Sequence, residues 1–333
     1  MATAFAFVPS PSHVYPDHPE QPKRFDLLAP RLDSFGAQRL EARPASRDEI
    51  ARVHQPRLIS ALAEVCKQGP AVIDYAPTFV TQSSFEDALL ASGAALGCTR
   101  AVMSRSAGNA FAIIRPPGHH AEPERPMGFC IFNNTAIAAR EALAGGIPRV
   151  AIVDYDAHHG NGTQAAFLSE ERIAYTSTHQ WGIYPGTGWY QEAPQARKRI
   201  VNVPLPPGSG DQTYARIADE IWVPFVRSFK PGLILVSAGF DAHWNDPLTS
   251  LGLSTAGFYT LSKKLVDLAG EYCSGKIVFV LEGGYDPTNL ANGAAAVFAA
   301  LTDKPFVDPG DASPRRETDA GEMIEKVRAW HGF

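Results

Sequence analysis

Val150-Ala151-Ile152-Val153-Asp154-Tyr155-Asp156-Ala157-His158-His159-Gly160-Asn161-Gly162 joins a short apolar run to a cluster of carboxylates and imidazoles. The run is continuously apolar and β-branched, as in a strand buried on both faces. The same order recurs along the chain. Ala110–Ile114 leads into Arg115-Pro116-Pro117-Gly118-His119-His120, and Leu233–Ser237 into Ala238-Gly239-Phe240-Asp241-Ala242-His243. Ile277–Leu281 leads into Glu282-Gly283-Gly284-Tyr285, and Ile173–Thr176 is a fifth run. Between the runs lie segments with helical spacing: Asn134–Ala144, Tyr214–Ser228 and Thr255–Tyr272. Strand and helix alternating in this way predict an α/β fold, a mainly parallel sheet with helices on both faces. The chain to about Tyr75 reads as loops and helices wrapping the first strand. Beyond Pro305 it turns polar and Pro-rich before a short helix, Gly321–Trp330. One domain over residues 1–333 is expected, with a core at about 5–303 and a tail at 304–333.

Composition excludes several function classes. Hydrophobic residues make up 45% and charged ones 20% of 333 residues, enough to bury a full core. A formal net charge of −5 and the absence of any basic run argue against nucleic acid as a partner. No apolar run reaches the length of a membrane span. Ala4–Val8 is apolar but too short, and lacks the basic flank, for a secretory leader. Cys66, Cys98, Cys130 and Cys273 form no CxxC pair, which disfavours a zinc ribbon or disulfide scaffold and suits a reducing compartment. A cytoplasmic protein is expected, or an organellar one if the chain is a processed form.

The polar residues fall where chemistry is expected. Four runs each deliver titratable or hydroxyl groups at their C-terminal ends, the edge where parallel α/β sheets bind ligands. Singly, each has a bland reading: a His-His pair in a surface loop, an Asp capping a helix, a Gly-Gly-Tyr turn. Together they converge on one edge. Asp154-x-Asp156-x-His158, read as extended chain, points three potential ligands the same way. Burying such groups without a counter-ion is costly. Two carboxylates and one imidazole describe an open catalytic metal site; zinc comes first, with iron, cobalt and manganese tolerating the same donors.

These motifs, in this order, resemble the zinc-dependent histone deacetylase family, which includes acetylpolyamine amidohydrolases and bacterial deacetylase-like amidohydrolases. The resemblance covers roughly residues 5 to 300. His18-Pro19-Glu20-x-Pro22-x-Arg24, Asn161 and Glu282 are similar to the class II branch and its bacterial and plant-organellar relatives. The match implies an arginase/deacetylase-like α/β domain acting as a metal-dependent amidohydrolase on acetyl-lysine or acetylated amines and polyamines. It implies one Zn2+ per chain on Asp156, His158 and Asp241. It implies His120 as general base and His119 as an electrostatic stabiliser oriented by Asp154. Asn161 would partner His120, and Tyr285 would polarise the carbonyl. Phe129 and Tyr184 would wall the acyl channel, Gly128 would floor it and Leu248 would stand at its rim, with Gly284 beside the tyrosine. A structural K+ is implied near Asp154, Asp156, His158, Ser177 and Thr178. Relatives are often oligomers, so a homo-oligomer is possible.

Departures from the family pattern bear on substrate. Pro77 precedes Thr78-Phe79-Val80 where many deacetylases carry an Asp that grips the substrate backbone, and Asp74 is nearby but out of register. Tyr184 replaces a commoner Phe, and the Glu of some polyamine-specialised members is absent at Leu248. These tilt the expectation slightly toward small substrates. Two rival readings are a binuclear manganese ureohydrolase of arginase type, and a pseudoenzyme that binds acetylated ligands. Trp244, close behind Asp241, is expected at the pocket rim.

Overall fold

The computed structural model describes residues 1–333 and contains ten strands. They are β1 (Thr3–Val8), β2 (Gln38–Leu40), β3 (Ala71–Val72), β4 (Phe79–Val80), β5 (Asn109–Ile114), β6 (Val150–Asp154), β7 (Ile173–Gln180), β8 (Ile200–Leu205), β9 (Leu233–Ala238) and β10 (Ile277–Leu281). Eight form one sheet in the order β2-β1-β5-β10-β9-β6-β7-β8, every pair parallel, while β3 and β4 pair separately as an antiparallel hairpin.

Strand alternation divides the core into two layers. Phe111, Ile113, Ala151, Val153, Ile234, Val236 and Phe279 face one way. They meet the helices Thr255–Cys273 and Pro287–Thr302 through Phe258, Leu261, Leu290 and Val297. Ala110, Ala112, Val150, Ile152, Leu235 and Val278 face the other way, toward the helices Ser84–Met103 and Asn134–Ala144. Those two helices present Ala91, Ala94, Ala95, Ala136 and Ala139, small side chains that let the helix backbones lie close to the sheet. The helical segment expected at Tyr214–Ser228 runs from Asp211 to Phe229 through a widened turn at Ala218–Trp222. Pro224 follows that turn; it has no N–H and its ring crowds the preceding turn, so the wider spacing absorbs the misfit.

Two strands toward the sides of the sheet were not read from the sequence. The N-terminal segment is not only wrapping: Ala4–Val8 belongs to β1, paired along its length with β5. Alternating Ala and Phe give it a weak apolar signal. The run Ile200-Val-Asn-Val-Pro-Leu contains Asn202 and Pro204, which disguise it as a loop. It is an edge strand, where a proline costs little. The helix expected at Gly321–Trp330 spans Gly321–His331, and its Ile324 and Val327 are buried in the first layer. No helix is long and apolar enough to cross a membrane.

Candidate active site

The four strands that carry the polar motifs are neighbours in the sheet, β5-β10-β9-β6, so their C-terminal ends meet. Asp156, His158 and Asp241 bring one donor atom each within 4.8 Å of one another. Backbone N–H groups fix both carboxylates: Gly283 N donates to Asp156 Oδ2 at 2.8 Å, and Ala157 N to Asp241 Oδ1 at 2.9 Å. The other oxygens face His158 Nδ1, at 3.1 Å from Asp156 and 3.0 Å from Asp241. Burial alone would lower His158, but hydrogen bonds to the two carboxylates prevail and push it up to about 10. The pocket thus demands positive charge between its carboxylates. A divalent cation meets that demand with donors of the right type, so the residues fit a zinc site.

Asp154 is not a fourth donor. The chain is extended only to Asp154 and bends at Asp156–His158, because Asp156 N bonds Asp154 Oδ1 and His158 N bonds Asp156 Oδ1. These turns, each closed by a side chain two residues back, break the alternation expected of extended chain. Asp154 Oδ2 accepts from His119 Nδ1 at 3.1 Å and from the Tyr175 hydroxyl at 3.0 Å. Burial works against charge on His119, yet Asp156 and Asp154 hold it up at about 10. His120 is held well below its ordinary value, first by burial and then by the charges of His119 and His158. Its Nδ1 lies 2.8 Å from Asn161 Oδ1.

Glu282 fastens the histidine loop from beneath. Its Oε2 accepts from Gly118 N and His119 N, and its Oε1 from the Thr135 and Ser237 hydroxyls. Burial pushes this carboxyl up to about 7. The segment that carries Tyr285 is fixed by a buried ionic cluster that sequence reasoning did not assign. Arg24 Nε donates to Gly284 O at 2.6 Å and its Nη2 to Glu282 O at 2.7 Å. Its guanidinium lies 5.0 Å from the Tyr285 ring centre. Glu20 binds both Arg24 and Arg115 and is fully buried. The signal was present as a Glu and an Arg four residues apart, followed far downstream by an Arg before a Pro-Pro turn. Tyr285 N is held by Asp246 Oδ2 at 2.9 Å, and burial raises the Tyr285 phenol well above its usual range.

Aromatic rings pack against His120 and Tyr285. Tyr184 meets His120 edge-on at 5.0 Å and Phe129 meets Tyr285 edge-on at 5.8 Å. Gly128 has φ +57°, and a Cβ there would lie 2.4 Å from His120 Cδ2, so only glycine fits this floor. The Tyr184 hydroxyl is buried without a protein partner. Leu248, 40% exposed, stands at the mouth beside Tyr285. Asp74 is closer to the channel than its sequence register suggests, since its Oδ2 accepts from Gly128 N at 3.2 Å and from the Thr78 hydroxyl at 3.3 Å. Pro77 instead offers its carbonyl to His18 Nε2. Trp244 is not at this mouth; its indole donates to Asp311 O in the C-terminal tail. Ser177 is the register partner of Asp154, but its hydroxyl is engaged by His179, and the Thr178 hydroxyl accepts from Trp222.

A family model described as histone deacetylase domain matches residues 18–301. The chain is 39% identical to a chloroplastic histone deacetylase 10 of Oryza sativa subsp. japonica, over 98% of this chain and 80% of that protein. It is 42% identical to a probable deacetylase of Archaeoglobus fulgidus, over 81% of this chain and 77% of the other. The crystal structure of the HDA15 HD domain superposes with a TM-score of 0.89 at 31% identity, over 99% of this chain and 94% of that one.

Proposed function

The chain belongs to the histone deacetylase family, and on that premise we propose that it hydrolyses the acetyl amide of acetylated amines, with zinc held by Asp156, His158 and Asp241. The observation that carries this reading is the position of His120, Tyr285 and the three-donor cluster at the ends of four adjacent strands. Zinc bound there supplies Lewis acidity, polarising the amide carbonyl and acidifying water. His120, neutral before turnover, takes a proton from the attacking water and delivers it to the departing amine. His119, kept cationic by Asp156 and Asp154, stabilises the negative charge that develops. The Tyr285 hydroxyl, kept protonated, donates to the carbonyl oxygen as it becomes an oxyanion. Phe129 and Tyr184 admit a slender alkyl chain and exclude water around it.

Acetyl-lysine in a peptide and acetylated polyamines both present such a chain. Asp154, Asp156, His158, Ser177 and Thr178 would hold a K+ whose charge would brace the cluster. Acetate release by the zinc-loaded enzyme, against an apo control, from an acetyl-lysine peptide and from acetylspermidine tests the assignment. Metal-dependent release from either substrate is expected. A tenfold difference in kcat/KM, about 1.4 kcal/mol of transition-state discrimination, assigns the preferred class. Loaded enzyme inert on both sinks the acetyl assignment and favours a protein that only binds acetylated ligands.

A further inference from the structure

The proposed base rests against an amide, and an amide has two opposite ends. Asn161 Oδ1 accepts and Nδ2 donates. With Oδ1 toward His120, as found at 2.8 Å, the imidazole carries its proton on Nδ1 and keeps a lone pair on Nε2. Turned over, Asn161 would donate into Nδ1, the proton would move to Nε2, and the base would be blocked. Nothing in the His120–Asn161 pair chooses between these states. The choice is made on the far side of the amide.

There Asn161 Nδ2 faces two acceptors, Glu122 Oε1 at 2.9 Å and Met127 Sδ at 3.3 Å. A carboxylate can only accept, so it selects the NH2 end. Glu122 is in turn held at three points. Its Oε2 accepts from Arg125 Nη2 at 3.1 Å, and its N–H bonds Arg125 O at 2.9 Å. Its carbonyl lies 3.0 Å from His54 Nδ1. Asn133 N donates into His54 Nε2 at 2.8 Å, which leaves the proton on His54 Nδ1 to donate to Glu122 O. Donors and acceptors alternate without a break from Asn133 to Glu122, and again from Glu122 to His120.

We infer that Glu122 is a positioning residue that fixes the Asn161 amide and, through it, the tautomer of His120. The inference rests on His120 acting as the base. An exposed Glu-Arg pair three residues apart would contribute little by itself. Here one carboxylate oxygen serves Arg125 while the other serves Asn161, so the pair also orients the second oxygen.

The chemistry gives an unusual order of effects. Glu122→Gln is isosteric, but Arg125 takes the amide oxygen and leaves the Gln NH2 facing Asn161. That turns Asn161 over and puts the proton on His120 Nε2. Glu122→Leu removes the same charge without supplying a wrong donor. In the zinc-loaded enzyme at pH 8, kcat of Glu122→Gln is expected to fall by about tenfold or more, with the ~10²–10⁴-fold contribution of a general base as the ceiling. Glu122→Leu should lose at least threefold less, and KM and bound zinc should stay within twofold of the parent in both. Placing Glu122→Gln in an Asn161→Asp background should cost under twofold relative to that background, because a carboxylate accepts at both ends. Imidazole 15N shifts of His120 report the tautomer directly and should show Nε2–H only in Glu122→Gln. Equal losses for Gln and Leu, equal costs in both backgrounds, or an unchanged tautomer overturn the role of Glu122. Undiminished turnover in His120→Ala would instead overturn the assignment of the base.

Discussion

The rings of His119 and His120 lie 4.0 Å apart centre to centre, yet one is paired with a carboxylate and the other with an amide. Asp156 and Asp154 keep the first charged, while burial and the neighbouring charges keep the second neutral. Two consecutive residues of one type therefore hold different protonation states at one pH, which is what separates a stabiliser from a base. Replacing Asn161 by Asp gives His120 an anionic partner that favours the imidazolium. The acid limb of the kcat/KM profile should then move to higher pH, since more alkaline solution is needed to free the base. A limb that stays in place would show that Asn161 does not set the affinity of His120 for its proton.

Tyr285 and Asp241 separate chemistry from metal binding. Tyr285→Phe removes one donor to the developing oxyanion, worth about 3 kcal/mol, or on the order of 100-fold in kcat. Bound zinc should be unchanged by elemental analysis. Asp241→Ala should lose both activity and metal, because it deletes one of three donors while leaving Asp156 buried beside His158. Near-parental kcat in Tyr285→Phe contradicts its assigned role.

Glu20 compensates two buried arginines at once, with Arg24 Nη1 3.1 Å and Arg115 Nε 2.5 Å from its Oε1. Removing one partner of a buried ion pair typically costs ~3–5 kcal/mol, because the remaining charge is left in a poor solvent. Glu20→Gln should lower the urea midpoint accordingly. It should also reduce kcat, because Arg24 holds the carbonyls of Glu282 and Gly284 on either side of Gly283. A loss of stability with no change in kcat would separate Arg24 from the placement of Tyr285.

Much of this site was legible because the strands that matter are central. β5, β6, β9 and β10 are buried on both faces and read as continuous apolar runs. A run of that kind followed by Asp, His or Gly-Gly-Tyr marks its own C-terminal end. Strand β1, next to one edge, and the edge strand β8 escaped: one is a short Ala-Phe alternation, and the other is interrupted by Asn202 and Pro204. The turns at Asp156 and His158 escaped as well. They depend on side-chain-to-backbone bonds that spacing cannot distinguish from extended chain, so spacing alone made Asp154 a potential ligand beside Asp156 and His158, and only the family resemblance pointed it at His119. Contacts such as Arg24 to Gly284 and Asp74 to Gly128 join distant parts of the chain and leave no local pattern.

His54 makes stability depend on pH below neutrality. Burial lowers it from 6.5 to about 4, and its Nε2 must stay unprotonated to accept from Asn133 N. Between those values the unfolded chain binds a proton that the folded chain refuses. This contribution is therefore intact above about pH 6.5 and is lost as pH falls toward 4. A shift of this size corresponds to about 3 kcal/mol. The urea midpoint of the parent should fall more steeply between pH 7 and 4.5 than that of His54→Gln. Parallel curves would remove His54 from the acid response.

Asp74 offers the sharpest test of substrate class. Its carboxylate accepts from Gly128 N and from the Thr78 hydroxyl, whose oxygen in turn accepts from Phe129 N at 2.9 Å. Gly128 and Phe129 both have positive φ, +57° and +68°, a costly backbone state for Phe. Asp74 therefore props up a strained turn that carries one wall of the channel. If that is its whole role, Asp74→Ala loosens the wall for every ligand, and kcat/KM should fall by a similar factor for an acetyl-lysine peptide and for acetylspermidine. If the carboxylate also grips a peptide main chain, the loss should be at least tenfold larger for the peptide, because only that substrate carries the N–H groups it would bind. The first outcome is expected from the hydrogen bonds already made. The second would mean that an Asp three residues before Pro77 serves the clamp that Pro77 itself cannot provide.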